Sequence, residues 1–255
     1  MIFAVTGTDT EIGKTVVTAM FAAAALEAGK TVAVYKPTQT GVGPEDAGDV
    51  DSVAGWLGSP EQLTTAEGVR LIHPMAPVDA LRHQEARQEG QPAAEAGTSL
   101  PVLPTLQEHA ATIQTLAAQH DVVFVEGAGG LLVKLTEAGE TIAELAQLVR
   151  ARPIVVARPN LGTLNHTELT LEAADRRGLN AGVLVLGSWP AKPDALHEIN
   201  RRHLTELAGK FGWAWAPGPA AGAVIGSAEQ VEATLRGAGQ KLLQVPGLFG
   251  LPGKS

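Results

Sequence analysis

The stretch GTDTEIGKT, residues 7–15, opens on Gly7 and closes on Gly13-Lys14-Thr15. A glycine-bounded turn that ends in Lys and Thr is suited to holding polyphosphate. Gly7 and Gly13 let the backbone curl around the anion. Lys14 reaches the β- and γ-phosphates, and the Thr15 hydroxyl ligates Mg²⁺. Two more charged residues stand where they could join in. Lys36, in YKPTQTG (residues 35–41), leaves an apolar stretch and can stabilise charge developing on a transferring phosphate. Glu126, in VEGAGG (residues 125–130), follows the apolar DVVFV, and a carboxylate there faces nucleotide and metal. The glycines at 127, 129 and 130 let a second backbone stretch approach the ligand.

A phosphate cradle works at a helix N-terminus, where free N–H groups and the helix dipole attract anions. Ile2 to Val5 (IFAV) reads as a buried strand before the loop, and Val16 to Leu26 as an Ala-rich helix after it, stopped by Gly29. Thr31–Tyr35, Asp121–Val125, Pro153–Ala157 and Ala181–Leu186 read as further strands. Leu106–Gln119, Thr141–Val149, Asn165–Arg176 and Asp194–Leu207 read as helices. Strands spaced by helices predict an α/β fold: a doubly wound, mostly parallel sheet flanked by helices, with ligands at the carboxyl ends of the strands. One domain is expected over residues 1–245, with a tail at 246–255. Gln91–Pro104, rich in small and polar residues, reads as an exposed connection.

Composition narrows the function classes. With 45% apolar and 18% charged residues in 255, the chain is globular rather than disordered. The absence of cysteine excludes disulfides, thiolate metal sites and a thiol nucleophile. The net charge of −8, with no basic cluster, predicts no nucleic-acid partner. No apolar run has the length of a membrane span, and MIFAVTG has no basic leader, so no membrane partner and a cytoplasmic location are expected.

Taken together, GTDTEIGKT, YKPTQTG, VEGAGG and LGTLNHTELT (residues 161–170) resemble the dethiobiotin synthetase family. The four blocks spread over residues 5–170, and the segment after about residue 187 matches weakly. The resemblance implies an ATP- and Mg²⁺-dependent cyclo-ligase acting on 7,8-diaminononanoate and carbon dioxide through a carbamate and a carbamic–phosphoric anhydride. It assigns catalysis to Lys14, Lys36 and Thr10. It gives nucleotide contacts to Glu11, Ile12, Gly13, Lys14, Thr15 and Val16, and to Glu126, Gly127, Ala128 and Gly129. Metal ligation falls to Thr15, Glu126 and an Asp after the second strand. EDAGDVDSV offers Asp46, Asp49 and Asp51; Asp49 matches the family best and Asp51 is second. Thr40 corresponds to a substrate-contacting hydroxyl. Gly162, Thr163, Leu164 and Asn165 correspond to a helix start that the partner subunit lends to the substrate carboxylate, which implies a homodimer with a shared site.

The base site departs from the family. The Asn-Asp pair that reads adenine there is replaced by Gly187-Ser188-Trp189, and Pro217, Gly218 and Pro219 match the other base-lining segment loosely. Relaxed use of nucleoside triphosphates is therefore expected, with Trp189 stacking as the competing source of selectivity. Two other readings fit a phosphate loop. A partition-type ATPase carries an extra lysine near the loop start, where Thr8 and Asp9 stand here. A non-catalytic nucleotide-binding module would not need Lys36 or the LGTLNH block.

Overall fold

The computed structural model describes residues 1–89, 101–245 and 247–249. Its centre is a seven-stranded sheet in the order β3-β2-β4-β1-β5-β6-β7, formed by Ile2–Gly7 (β1), Val32–Thr40 (β2), Leu63–Leu71 (β3), Val122–Gly130 (β4), Arg152–Ala157 (β5), Val183–Leu186 (β6) and Ala214–Ala216 (β7). Every neighbouring pair is parallel. The helices are Lys14–Glu27 (α1), Asp49–Trp56 (α2), Pro77–Glu89 (α3), Leu106–Gln119 (α4), Ile142–Leu148 (α5), Thr163–Asp175 (α6), Ala195–Lys210 (α7) and Ala228–Leu242 (α8). The fold is a doubly wound P-loop NTPase fold, as the alternation of elements predicts.

Two cores sandwich the sheet, and the period-2 alternation of each strand divides its residues between them. Phe3 and Val5 of β1 face α1, α2 and α8, together with Phe124, Ile154 and Val185. Ala4 faces α4–α7, together with Val123, Val125, Val155 and Leu184. Helix α1 is so rich in alanine because it is buried nearly all round: Ala22 to Ala25 are fully buried. Its small side chains let α8 approach until a Cβ on Gly239 would lie 2.9 Å from the Ala24 nitrogen. Residues 91–100 of the expected connection lie outside the described residues, as do 246 and 250–255. Of the stretch expected as a tail, Leu248 and Phe249 are buried, with the Phe249 ring edge-on to Phe3 at 5.9 Å.

One buried polar pair sits behind β2. The Tyr35 hydroxyl and His109 Nδ1 are 2.8 Å apart, and both residues are almost wholly enclosed. Burial raises the Tyr35 pKa to about 12 and lowers that of His109 to about 4. In the unfolded chain His109 takes up a proton near its ordinary 6.5, so between these values the unfolded state binds more protons. Stability is thus fully present above pH 6.5 and declines as pH falls towards 4. In melting temperatures recorded across this window, His109→Gln should flatten the decline seen in the parent chain. Parallel pH profiles for the two proteins would show that His109 is not the titrating group.

Candidate active site

The site opens where two strands part. Strands β2 and β4 are paired as far as Tyr35 and Val125; beyond that β2 continues against β3 alone. Pro37, with no N–H to give, sits just past the last shared pair, where one edge of the strand has no neighbour. The second strand reads as ending at Tyr35, with Lys36 leaving it; in the structure Lys36 lies within β2, opposite Glu67 of β3. The parting places Lys36 and Glu126 in the crevice beside the phosphate loop.

That loop runs from β1 into α1. Five residues separate Gly7 from Gly13, one more than the usual phosphate loop has. Glu11 takes up part of the extra length in a left-handed turn at φ 52°. Gly13 is the N-cap of α1 at φ 90°, a conformation that favours glycine. A second constraint fixes the loop from the side. The start of the segment after β6 comes so close that a Cβ on Gly187 would lie 1.5 Å from the Ile12 carbonyl oxygen. Lys14 is buried, and its Nζ donates to the Asp9 carbonyl at 3.0 Å. Burial foremost, and then the Lys36 charge, lower its pKa against the pull of Glu126 and Asp49. An anion in the loop would relieve that desolvation.

Five side chains converge next to it. Lys36 Nζ lies 2.6 Å from Asp49 Oδ2 and 2.9 Å from Glu126 Oε1. Glu126 also accepts from Thr15 Oγ1 at 2.9 Å and from Thr18 Oγ1 at 2.6 Å. Burial works to lower the Lys36 pKa, but the two carboxylates outweigh it and hold it above the ordinary lysine range. The two carboxylates are hard oxygen donors gathered about one cation, here an ammonium, and the Thr15 hydroxyl adjoins them through Glu126. That is the donor chemistry of a magnesium ion that completes its shell with phosphate oxygens and water. Of the three candidate aspartates, Asp49 alone faces Lys36, its own N–H held by the Gln39 side chain at 2.9 Å. Asp51 instead caps α2 through the Gly48 N–H at 2.8 Å and pairs with Arg70, while Asp46 accepts from the Gly43 N–H.

The loop forms a common wall between two cavities. Thr10, Glu11, Ile12, Gly13 and Val16 line both. One, of about 660 Å³, takes in Lys14, Thr15, Lys36, Thr40, Asp49, Glu126, Ala128 and Gly129, and is closed by Pro74–Pro77. Gly127 does not line it, though its carbonyl is 3.4 Å from Lys36 Nζ. The other, of about 540 Å³, is walled by Gly187 and Ser188, with Arg158, Pro159, Asn160, Ala220 and Gly222–Val224. Sequence reasoning missed those last seven, which belong to no spaced motif. Pro217, Gly218 and Pro219 do not line this cavity: Gly218 is pressed against the Leu186 carbonyl, and the Pro219 carbonyl accepts from the Trp189 N–H at 2.7 Å. The Trp189 ring turns away, under Arg201 at 5.2 Å and edge-on to His197.

Gly162, Thr163, Leu164 and Asn165 line neither cavity. Gly162 is the N-cap of α6 at φ 89°, Thr163 is buried against Thr167, and Asn165 and His166 are exposed. Asn200 of α7 anchors the approach to this turn by donating to the carbonyls of Pro159 (2.8 Å) and Asn160 (3.2 Å).

A family model described as an AAA domain matches residues 2–214. The ATP-dependent dethiobiotin synthetase BioD of Streptomyces coelicolor is 46% identical over 208 residues, which span 82% of this chain and 80% of that one. The enzyme of the same name from Rhodococcus erythropolis is 42% identical over 208 residues, 82% and 84% of the two chains. The solved MinC:MinD cell division protein complex of Aquifex aeolicus aligns over 94% of both chains at 12% identity, with a TM-score of 0.49, too distant a likeness to bear on activity. At the identity and coverage of its bacterial relatives, the chain belongs to the dethiobiotin synthetase family, ATP-dependent ligases of biotin synthesis.

Proposed function

We propose that residues 1–245 act as one catalytic unit that converts 7,8-diaminononanoate, carbon dioxide and ATP to dethiobiotin, ADP and phosphate in the cytoplasm. What supports this best is the buried Lys36 ammonium between Asp49 and Glu126, beside a phosphate loop that walls two cavities. In this reading the polyphosphate lies along Glu11–Val16 and the Gly127–Gly129 stretch of β4. The nucleoside enters the cavity of Gly187 and Ser188, and the diamine enters the cavity of Thr40.

One amine of the substrate adds to carbon dioxide and loses a proton, which gives a carbamate. A carbamate oxygen then attacks the γ-phosphorus, the bond to the ADP oxygen breaks, and a carbamic–phosphoric anhydride forms. The second amine attacks the carbonyl carbon of the anhydride. Phosphate leaves with the oxygen that came from carbon dioxide, and the cyclic urea closes. No protein nucleophile is needed; the requirement is positioning and positive charge at the transferring oxygens. Lys14 and Lys36 meet it, with Thr10 beside the same oxygens. Mg²⁺ held by Thr15, Asp49 and Glu126 supplies further charge neutralisation there. The family resemblance gives Gly162–Asn165 a grip on the substrate carboxylate, lent by a second copy in a homodimer, and their position outside both cavities of their own chain is compatible with that role. With bicarbonate labelled in oxygen-18, one labelled oxygen should appear in each phosphate released; unlabelled phosphate alongside new cyclic urea would exclude the anhydride.

Base selectivity should be weak. Ser188 and Asn160 line the cavity with backbone groups, and Arg158 there is tied to Asp9, but the Asn-Asp pair that reads adenine in the family is absent; a site without a pair matched to one ring edge rejects other rings poorly. CTP or GTP is expected to support turnover within ~10-fold of ATP, a gap of about 1.4 kcal/mol. Comparing kcat/KM for the four triphosphates decides it, since a preference for ATP above about a thousandfold, some 4 kcal/mol, requires a specific reader.

A further inference from the structure

Asp9 is an unexpected residue inside a loop built to hold polyphosphate, because its carboxylate repels the ligand. Its three polar oxygens are all engaged. The carbonyl accepts from Lys14 Nζ at 3.0 Å, Oδ1 accepts from the Thr10 N–H at 2.8 Å, and Oδ2 pairs with the Arg158 guanidinium. Arg158 stands just past the end of β5 and lines the nucleoside-side cavity with Asp9, Asn160 and Ser188. Its Nε is buried and has no hydrogen-bond partner among the described residues, where the ion pair with Asp9 is the main interaction that orients the head group. Both side chains are partly open to the cavity, 34% and 43% exposed, so the fold does not rest on the pair.

We infer that Arg158 is a positioning residue for nucleotide binding that acts through Asp9: it neutralises the Asp9 carboxylate within the phosphate loop and leaves Oδ1 free to fix the Thr10 N–H. The inference rests on the reading that polyphosphate occupies the loop. Without Arg158 the Asp9 charge stands uncompensated beside the bound phosphates. The effect falls on binding of every triphosphate rather than on the reacting atoms, because Lys14 meets Asp9 only at its backbone carbonyl, and Lys36 and Glu126 line the cavity on the other side of the loop.

The test compares the parent chain with Arg158→Met, Asp9→Asn and the double variant, by equilibrium titration with ATP and with inorganic tripolyphosphate and by steady-state kinetics. Arg158→Met should weaken both ligands ~10-fold, about 1.4 kcal/mol, and raise the KM for ATP with kcat within about threefold. The loss should shrink as ionic strength rises. Asp9→Asn keeps the amide oxygen for Thr10 and removes the charge, so it should bind both ligands within about threefold of the parent, and adding Arg158→Met to it should cost little more. A double variant as weak as Arg158→Met, or a loss seen with ATP but not with tripolyphosphate, would overturn the inference in favour of direct contact with the nucleoside. If Arg158→Met does not fold, weak binding by Asp9→Asn alone would overturn it. Failure of the parent chain to bind ATP would instead strike the reading of the loop itself.

Discussion

Lys36→Ala is expected to lower turnover at saturating substrate by ~10²-fold or more, the usual scale for losing a charge contact made in the transition state. The expectation comes from what the ammonium separates. Its Nζ stands between Asp49 and Glu126 at 2.6 and 2.9 Å, in a crevice where the side chain is 5% exposed. With the lysine gone, two carboxylates face each other and the incoming phosphate without compensation, so the variant replaces stabilisation by repulsion. Because the two carboxylates hold its pKa above the ordinary range, Lys36 carries its charge throughout the neutral pH range. Fold should survive, since Asp49 is partly open to solvent and can be hydrated. Circular dichroism and kcat measured on the same preparation make the comparison. A native spectrum with near-parental turnover would remove Lys36 from the mechanism.

Gly187→Ala should abolish tight nucleotide binding, with affinity for ATP down more than about 100-fold, some 2.7 kcal/mol. The added methyl would meet the Ile12 carbonyl oxygen at 1.5 Å and its carbon at 2.7 Å, distances no rotamer can relieve because both partners are backbone. Gly13 cannot yield in compensation: at φ 90° it is itself packed so that a Cβ would lie 2.6 Å from the Gly187 carbonyl oxygen. The phosphate loop must therefore move as a unit, and its N–H groups leave the positions that face an anion. Overpacking of this kind also costs about 1–3 kcal/mol in stability. Calorimetric titration with ATP below the melting transition reads the binding effect separately. Parental affinity would mean that the segment after β6 is free to retreat and does not brace the loop.

Gly187 illustrates how far the sequence is legible. Its absence of a side chain is visible as a gap in base recognition, but its role against the loop depends on a backbone approach that no local pattern encodes. The same division runs through the fold. Strands β1, β4 and β5 announce themselves as apolar runs because they are buried on both faces. Strand β3, LTTAEGVRL, does not, since at the sheet edge most of its residues are only half-buried and its hold comes from pairing with β2 and from the Arg70–Glu67 ion pair. Strand β7 has three residues, too few for periodicity, and α8 shows its inward face only through widely spaced Val231, Leu235 and Leu242. Strand β2 is longer than it reads because Pro37 suggests a stop, and only the loss of its β4 neighbour makes that proline acceptable. Within the site, Lys14, Thr15 and Glu126 stand in recognisable motifs, the first two at the start of α1 and the third within β4, while Asp49 is one of three aspartates and is singled out by the family resemblance alone. Arg158, Asn160 and the 220–224 wall are not legible, because only the order of β5, β6 and β7 in the sheet assembles them.

In the proposed reaction ATP activates a carbamate for ring closure. Incubation with 7,8-diaminononanoate, carbon-13 bicarbonate, Mg²⁺ and ATP, followed by mass spectrometry and phosphate assay, is the decisive measurement. The expected result is dethiobiotin carrying one labelled carbon, one ADP and one phosphate for each product molecule, and no product when ATP is replaced by an analogue that cannot transfer its γ-phosphate. ATP hydrolysis that proceeds at the same rate without the diamine, and with no cyclic urea formed, would contradict it.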